Sequence, residues 1–264
     1  MTGDAKSARR RSAASAKPAP RPRDNLFETV AAPAPASFDF GPEVVRVFDD
    51  MVERSVPFYD AIQRLMAAMV LRCRAAGPIC DLGCSTGATF ICLIEQARDP
   101  LDLVGVDSSP DMLAACRAKL APLLGGHRLT LHEADLEDPA ALPAGEWGAA
   151  ILSLVTQFLR PPGRQRLLTA VAQRLRSGGC VVLLEKTVQR GAKLNEVFID
   201  GYHEFKEAQG YNQTEIARKR QALENRLIPF RPEENLAMLR EAGLAEAEIF
   251  FTWLNFQGYV ALKA

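Results

Sequence analysis

Histidine is scarce in this chain, with three in 264 residues at His127, His132 and His203. None stands at a zinc-finger spacing from a cysteine, and the six cysteines (Cys73, Cys80, Cys84, Cys92, Cys116 and Cys180) form no C-x-x-C pair. Zinc-ribbon and thioredoxin-like readings are therefore excluded, and no metal is expected. Most of the thiols lie in apolar runs, where a free cysteine behaves as a small buried hydrophobe; reduced thiols in a cytoplasmic protein are the expectation. Apolar runs of ~20 residues are missing as well, which excludes a membrane-spanning helix and any membrane partner built on one. The apolar core of a secretory signal is also lacking.

Net charge is absent overall, since 32 basic groups balance 32 acidic ones. The balance is uneven. Residues 1–23 hold seven basic groups and one acid, leaving 25 basic and 31 acidic side chains for residues 24–264. An acidic body lacks the basic face that nucleic acid requires, so no direct nucleic-acid binding is expected. The first 23 residues are Ala, Ser, Pro and Arg without hydrophobic periodicity and read as a disordered basic tail. Their Arg-rich, acid-poor character also resembles an organellar transit peptide, though no amphipathic face accompanies it.

What is present is an ordered grammar. Val44, Val45, Phe48, Met51 and Val52 repeat at helical spacing, and Pro57 is expected at the first position of a second helix carrying Tyr59, Ile62 and Met66. Strands are expected at 78–82, 101–106, 128–133, 148–154 and 180–184, separated by helices at 88–97, from Pro110 through Leu120, and at 164–176 with Leu167, Leu168, Val171 and Leu175 on one face. This alternation is the signature of a doubly wound parallel sheet. A helix at 231–242 follows, then strands at 246–253 and 256–262 whose short link allows an antiparallel pair. Residues 187–230 form a helical insertion. Its first helix is expected to align Leu194, Phe198, Gly201 and Phe205, and its second Ile216, Leu223 and Leu227. Residues 24–264 are thus read as one Rossmann-like α/β domain.

The sharpest chemical signal is Asp81-Leu82-Gly83-Cys84-Ser85-Thr86-Gly87 between a strand and a helix. Glycine lets backbone approach a ligand, and the helix start offers free N–H groups. Ser85 replaces the second glycine of a dinucleotide fingerprint, which weakens NAD binding. Asp81 instead suits a cationic ligand, although a plain tight turn is the competing reading. Asp107 follows Gly83 by 24 residues, a spacing that suits an acceptor for two ribose hydroxyls; its alternative is a helix cap. Asp135 suits an adenine amino group, or is simply a solvated turn. Together, at three successive strand ends, the three acids describe an adenosine site.

This set resembles the class I S-adenosylmethionine (SAM)-dependent methyltransferases. A further set resembles a narrower family of that fold, the carboxy-S-adenosyl-L-methionine synthases: Asn25-Leu26-Phe27, residues 38–40, Arg54-Ser55-Val56-Pro57, the Asp81 loop, Gln157-Phe158-Leu159 and Leu184-Glu185-Lys186. It continues through Phe205-Lys206, Gly210-Tyr211, Lys219-Arg220, Leu223-Glu224-Asn225, Asn255-Phe256 and Ala261-Leu262-Lys263. It spans about residues 24–264 and includes the insertion. The resemblance implies a seven-stranded, mostly parallel sheet with an antiparallel C-terminal strand. It also implies an enzyme that uses SAM and prephenate to make carboxy-SAM, phenylpyruvate and water, for later modification of the wobble uridine of tRNA. The sulfonium acidifies its methyl group, and the carbanion so formed captures carbon dioxide only where water is excluded.

Residue by residue, the resemblance places Tyr59, Gly83, Cys84, Ser85, Asp107, Ser108, Asp135, Leu136 and Ser153 around SAM, and Arg220 on the transferred carboxylate. Ser153 stands where relatives carry Asn, and Ser108 likewise. On a helical wheel Arg220 lies about 40° from the apolar centre of its helix and Lys219 about 60° on the other side. The difference is modest, but Arg220 is expected to be the more inward of the two, its fork suiting a carboxylate; without the resemblance, a solvated basic run is the favoured reading. His203 is read as structural. The insertion helices offer a self-association surface, so a homodimer is expected. Two readings compete: an ordinary SAM-dependent methyltransferase of an acidic small molecule, and a non-catalytic SAM-binding protein.

Overall fold

The computed structural model describes residues 22–28, 41–224 and 226–264. The expected tail lies outside the described residues up to residue 21, as do positions 38–40 and Asn225 of the resemblance. Its last two residues belong to the folded body, for the Arg23 guanidinium donates to Gly210 O at 3.3 Å.

Seven strands form one sheet: β1 (Ile79–Leu82), β2 (Asp102–Asp107), β3 (Arg128–Glu133), β4 (Trp147–Ser153), β5 (Leu175–Lys186), β6 (Glu246–Trp253) and β7 (Phe256–Leu262). Their order is β3-β2-β1-β4-β5-β7-β6. The first five are parallel, and β7 runs antiparallel to both β5 and β6. This is the expected topology. The helices are α1 (Pro42–Ser55), α2 (Tyr59–Cys73), α3 (Ala88–Gln96), α4 (Pro110–Leu120), α5 (Pro161–Arg174), α6 (Ala192–Ala208), α7 (Gln213–Leu223) and α8 (Pro232–Glu241).

The central strands are apolar on both faces because both are covered. Leu82, Val106, Leu152 and Leu183 pack toward α5 and α8, while Ile79, Leu103, Ile151 and Val182 pack toward α2, α3 and α4. Each such side chain contributes about 1.5–3 kcal/mol of burial. This rigid floor fixes where the strand ends lie.

Four local expectations are corrected. Pro57 does not open α2, because Phe58 adopts a left-handed conformation (φ 55°) that breaks the helix before Tyr59. Leu175 belongs to β5, pairing with Trp147 rather than extending α5. Leu227 lies beyond the end of α7. In α6 the buried residues are Tyr202 and Lys206, whereas Leu194 is 60% exposed.

A third apolar cluster joins the N-terminal segment to α1, α4 and α7 through Phe27, Phe48, Met51, Met112 and Ala222. A polar clasp reinforces it. Asp24 Oδ2 accepts the Tyr211 hydroxyl at 2.5 Å and lies 3.5 Å from the Lys219 ammonium, which donates to Ser55 Oγ at 2.9 Å. Arg54 stacks 3.9 Å from the centre of the Tyr211 ring and donates to Asp24 O.

Between Trp147 and Ala149 the β4 register shifts, and Gly148 exchanges hydrogen bonds with Pro78 O and the Ala75 N–H. A Cβ at Gly148 would sit 2.3 Å from Ala75 O, a backbone atom that cannot swing aside. Gly148→Ala is expected to lower the unfolding free energy by about 1–3 kcal/mol. Gly126→Ala, whose Cβ would only touch Pro100 at 3.6 Å, is expected to stay within about 0.5 kcal/mol of wild type. Urea denaturation of both checks this; equal stabilities would refute the steric reading.

Candidate active site

The C-terminal strand ends open into a cavity of about 1150 Å³. Parallel strands end on one edge, so loops far apart in sequence converge there. Tyr59 enters from α2, and Gly83, Cys84 and Ser85 from the turn after β1. Asp107 and Ser108 come from the end of β2, Asp135 and Leu136 from the loop after β3, Ser153 from the end of β4 and Arg220 from α7. All the residues singled out from sequence therefore line one space.

The turn after β1 is held from beneath. The N–H groups of Gly83 and Cys84 donate to Val106 O at 2.7 and 3.0 Å. Gly83 has φ 82°, and a Cβ there would meet Val155 Cγ2 at 2.4 Å. Ser85 adopts φ 46° despite its side chain. Asp107 holds it there, because Oδ2 accepts the Ser85 N–H and Oδ1 the Ser109 N–H, both at 2.9 Å. Burial raises the Asp107 pKa, and these backbone donors oppose the rise. The cap of α4 is Ser109, whose Oγ accepts Met112 N–H, so Asp107 is not the cap. Asp135 is exposed and its Oδ1 accepts the Glu137 N–H at 2.9 Å. Its turn role and its place on the cavity wall coexist.

Asp81 is 1% exposed, yet neither carboxylate oxygen has a hydrogen-bond partner. The nearby Thr89 hydroxyl donates to Gln63 Oε1 at 2.8 Å. Burial pushes the Asp81 pKa up to about 7, with the Thr89 hydroxyl drawing it down and Asp107 adding to the rise. A buried, unmet carboxylate is costly, and a cationic group entering the cavity relieves that cost. Burial, then the carboxylates of Asp49 and Asp81, push the Tyr59 phenol up, so it stays neutral.

The opposite end of the cavity is basic. Lys186, Lys206, Lys219, His203 and Arg220 all line it. The order expected on α7 is reversed: Lys219 is 6% exposed and Arg220 is the exposed one. The Lys219 side of the helix turns toward Asp24 and Ser55, where its charge is paired, leaving Arg220 on the cavity wall. Among the described residues Arg220 makes no hydrogen bond or ion pair. Burial lowers the Lys186 pKa to about 8, with Arg220 adding to the effect. Burial, then Lys219 and Lys186, bring Lys206 to about 7, against the pull of Asp24. Burial, then Lys206, Arg220 and Lys186, lowers the His203 pKa, against the pull of Asp200. Two more polar groups on the wall are unmet, the Thr187 hydroxyl and Asn255 Oδ1.

Lys186, Thr187, Lys206 and Asn255 were not recognised as site residues from sequence. A signal existed for the first two. They follow the apolar run 180–184 and Glu185 where β5 ends, at the sheet edge where ligands gather. Lys206 and Asn255 carry no such mark, because only the packing of α6 and the β6–β7 turn brings them inward. Among the described residues no group of three His, Cys, Asp or Glu side chains gathers as a metal site.

Residues 79–179 match the methyltransferase domain family. The chain is 46% identical over 235 residues to the carboxy-S-adenosyl-L-methionine synthase of Methylococcus capsulatus, covering 86% of this chain and 93% of that one. It is 39% identical over 244 residues to the enzyme of the same name from Desulfotalea psychrophila, covering 91% and 97%. Among solved structures, an O-methyltransferase family protein from Burkholderia thailandensis superposes with a TM-score of 0.61 at 15% identity, over 83% of this chain and 60% of that one. An S-adenosylmethionine-dependent methyltransferase from Clostridium acetobutylicum gives 0.57 at 12% identity, over 84% and 98%. These structures share the fold.

The state of Asp81 has a measurable consequence. Its folded pKa lies above its unfolded value, so between pH ~4 and ~7 the folded state holds a proton that the unfolded state has lost. Stability from this group is full below pH ~4 and lost as pH rises toward 7. Asp81→Asn is expected to remove that loss, so its unfolding free energy relative to wild type rises between pH 5 and 7.5. Denaturation of the ligand-free protein at both pH values checks it; a constant difference between variant and wild type would refute it.

Proposed function

The chain belongs to the carboxy-S-adenosyl-L-methionine synthases, and on that premise we propose that its cavity takes SAM at the acidic end and prephenate against the basic end. The products are carboxy-SAM, phenylpyruvate and water, and carboxy-SAM then serves modification of the wobble uridine of tRNA. One observation carries this reading: a single cavity has an unmet carboxylate, Asp81, where β1 ends, and Lys186, Lys206 and Arg220 on the side of β5, α6 and α7 without an ion pair among the described residues. SAM brings an ammonium for the first. A carboxylate-bearing co-substrate and a carboxylated product occupy the second.

The adenosine assignments follow the sheet edge. Asp107 retains acceptor capacity toward ribose while pinning Ser85, with Ser108 beside it. Asp135 and Leu136 flank the adenine. Gly83, Cys84 and Ser85 pass beneath the methionine portion, and Tyr59 closes over it as a neutral phenol. Ser153 contributes a short hydroxyl at the end of β4. Arg220 receives the carboxylate that forms on the former methyl carbon, and its exposed guanidinium is free to do so because Lys219 alone is paired with Asp24. An ordinary methyl transfer has no need of such a bank of cations, which favours the carboxylating reading over the methyltransferase one.

Purified protein with SAM and prephenate, followed by mass spectrometry, is expected to yield a SAM species heavier by one carbon dioxide. SAM and prephenate both unchanged would remove the proposal. Arg220→Ala is expected to lose at least about tenfold in product formation while binding SAM as wild type does; undiminished turnover would retire its role. A chain starting at Pro22 is expected to react equally well, since we assign residues 1–21 no part in the chemistry.

We further propose a homodimer in the cytoplasm. Leu194 and Val197 are 60% and 52% exposed on α6, and Phe58, packed edge-on to Trp253, is 59% exposed. Exposed apolar groups of this size, with Leu194 and Val197 one turn apart on α6, mark an association surface. All six cysteines are free, as suits a reducing compartment. Sedimentation is expected to give a dimer that Leu194→Glu with Val197→Glu dissociates; a monomeric wild type would overturn it, and recovery of the chain outside the cytoplasmic fraction would overturn the location.

A further inference from the structure

The roof of the cavity holds more positive charge than one carboxylate requires. Arg220 lies on α7, whereas Lys186 ends β5 and Lys206 lies on α6. The two lysine ammoniums share one aromatic neighbour: Lys186 Nζ lies 4.4 Å and Lys206 Nζ 5.3 Å from the centre of the Tyr202 ring. Tyr202 is itself fixed, donating its hydroxyl to Ser55 O at 2.9 Å. The backbone N–H of Lys186 is held by Gln157 Oε1 at 3.0 Å. Both lysines therefore project from anchored positions, and their places are set independently of any ligand.

Neither ammonium makes a hydrogen bond or ion pair among the described residues. The contrast with Lys219, a few residues away in space, is informative. Lys219 has Asp24 and Ser55 as partners. Of the acids on the cavity wall near the insertion, Asp200, Glu204, Glu207 and Glu224 are exposed, so their charge is spread into solvent and does not neutralise the interior. A ring face offsets only part of the cost of desolvating an ammonium. Beside Lys186, the Thr187 hydroxyl is 1% exposed, lines the same cavity and has no partner. Two cations and one unmet hydroxyl, all on residues that line one space, suit a carboxylate.

We propose that Lys186 and Lys206, with the Thr187 hydroxyl, form a second carboxylate seat that holds the carboxylate the co-substrate keeps. The proposal rests on the reaction given above. Prephenate carries two carboxylates. One leaves as carbon dioxide and reappears on the former SAM methyl carbon, beside Arg220. The other passes unchanged into phenylpyruvate. Because the two groups have different fates, they need separate cations: one that follows the transferred carbon, and one that keeps the rest of the molecule in place while the ring loses its carboxylate and hydroxyl. The seat selects for a dicarboxylate and also retains the product briefly.

Phenylpyruvate carries only the retained carboxylate and undergoes no reaction, so it probes the seat without turnover. Calorimetric titration of phenylpyruvate into the SAM-saturated full chain is expected to show binding that weakens about tenfold or more in Lys186→Met and in Lys206→Met, and several-fold in Thr187→Val. SAM binding without phenylpyruvate is expected to stay within about twofold of wild type, which also confirms that each variant folds. Phenylpyruvate affinity unchanged in both lysine variants would overturn the seat. So would an equal fall in SAM affinity, which would assign the lysines to the carboxylate of SAM itself. A wild type that binds phenylpyruvate but makes no carboxy-SAM would sink the reaction and leave the seat standing. A wild type that turns over, with lysine variants that bind phenylpyruvate normally, would sink the seat alone.

Discussion

Asp24 accepts the Tyr211 hydroxyl and faces the Lys219 ammonium where solvent scarcely reaches, at 2% exposure. The roof of the cavity depends on that pairing. It joins the N-terminal segment to the end of α1 through Arg54 and Ser55, and joins both to the insertion through Tyr211 and α7. Breaking a buried pair of this kind by removing one partner costs about 3–5 kcal/mol, because the other charge is stranded. The pairing also decides the character of the cavity. By taking Lys219 out of play it leaves Lys186, Lys206 and Arg220 as the cations on the cavity wall without an ion pair among the described residues.

The cavity is polarised as a result. Its floor at the turn after β1 carries Asp81 and Asp107, one orphaned and one engaged with backbone N–H groups. Its roof carries lysines whose pKa values burial and neighbouring cations have lowered. Neither end is at rest without a ligand. A substrate that is cationic at one end and meets a dicarboxylate at the other satisfies both, so binding energy that folding leaves unused becomes available to position two substrates against each other. Preorganisation of this sort is inexpensive at the moment of reaction because the charges are already fixed on β5, α6 and α7.

Much of the fold was legible from residue order. The strand and helix alternation, the antiparallel C-terminal pair and the insertion all emerge from hydrophobic period and turn residues, because a sheet covered on both faces writes itself as short apolar runs. The convergence of Asp81, Asp107 and Asp135 on one cavity was legible for a related reason: in a parallel sheet, side chains at successive strand ends share one edge whatever the details of packing. The errors were local. The left-handed Phe58 displaced the start of α2, and the pairing of Leu175 with Trp147 claimed it for β5. Each reflects a tertiary contact overriding a periodicity.

By itself, then, the sequence determined the Rossmann-like frame, the acids Asp81, Asp107 and Asp135 at its edge, and the family to which the chain belongs. The tertiary structure alone decided which basic residues are paired and which stand unpaired on the cavity wall. On a helical wheel the offsets of Arg220 and Lys219 from the apolar centre differ by only about 20°, too little to rank them; what separates them is Asp24, 195 positions earlier than Lys219 in the chain. Lys186 and Lys206 become partners only because Tyr202 brings β5 and α6 together. A charge is assigned to structure or to chemistry by whether an opposite charge lies within reach, and for residues so distant along the chain that reach is set by folding.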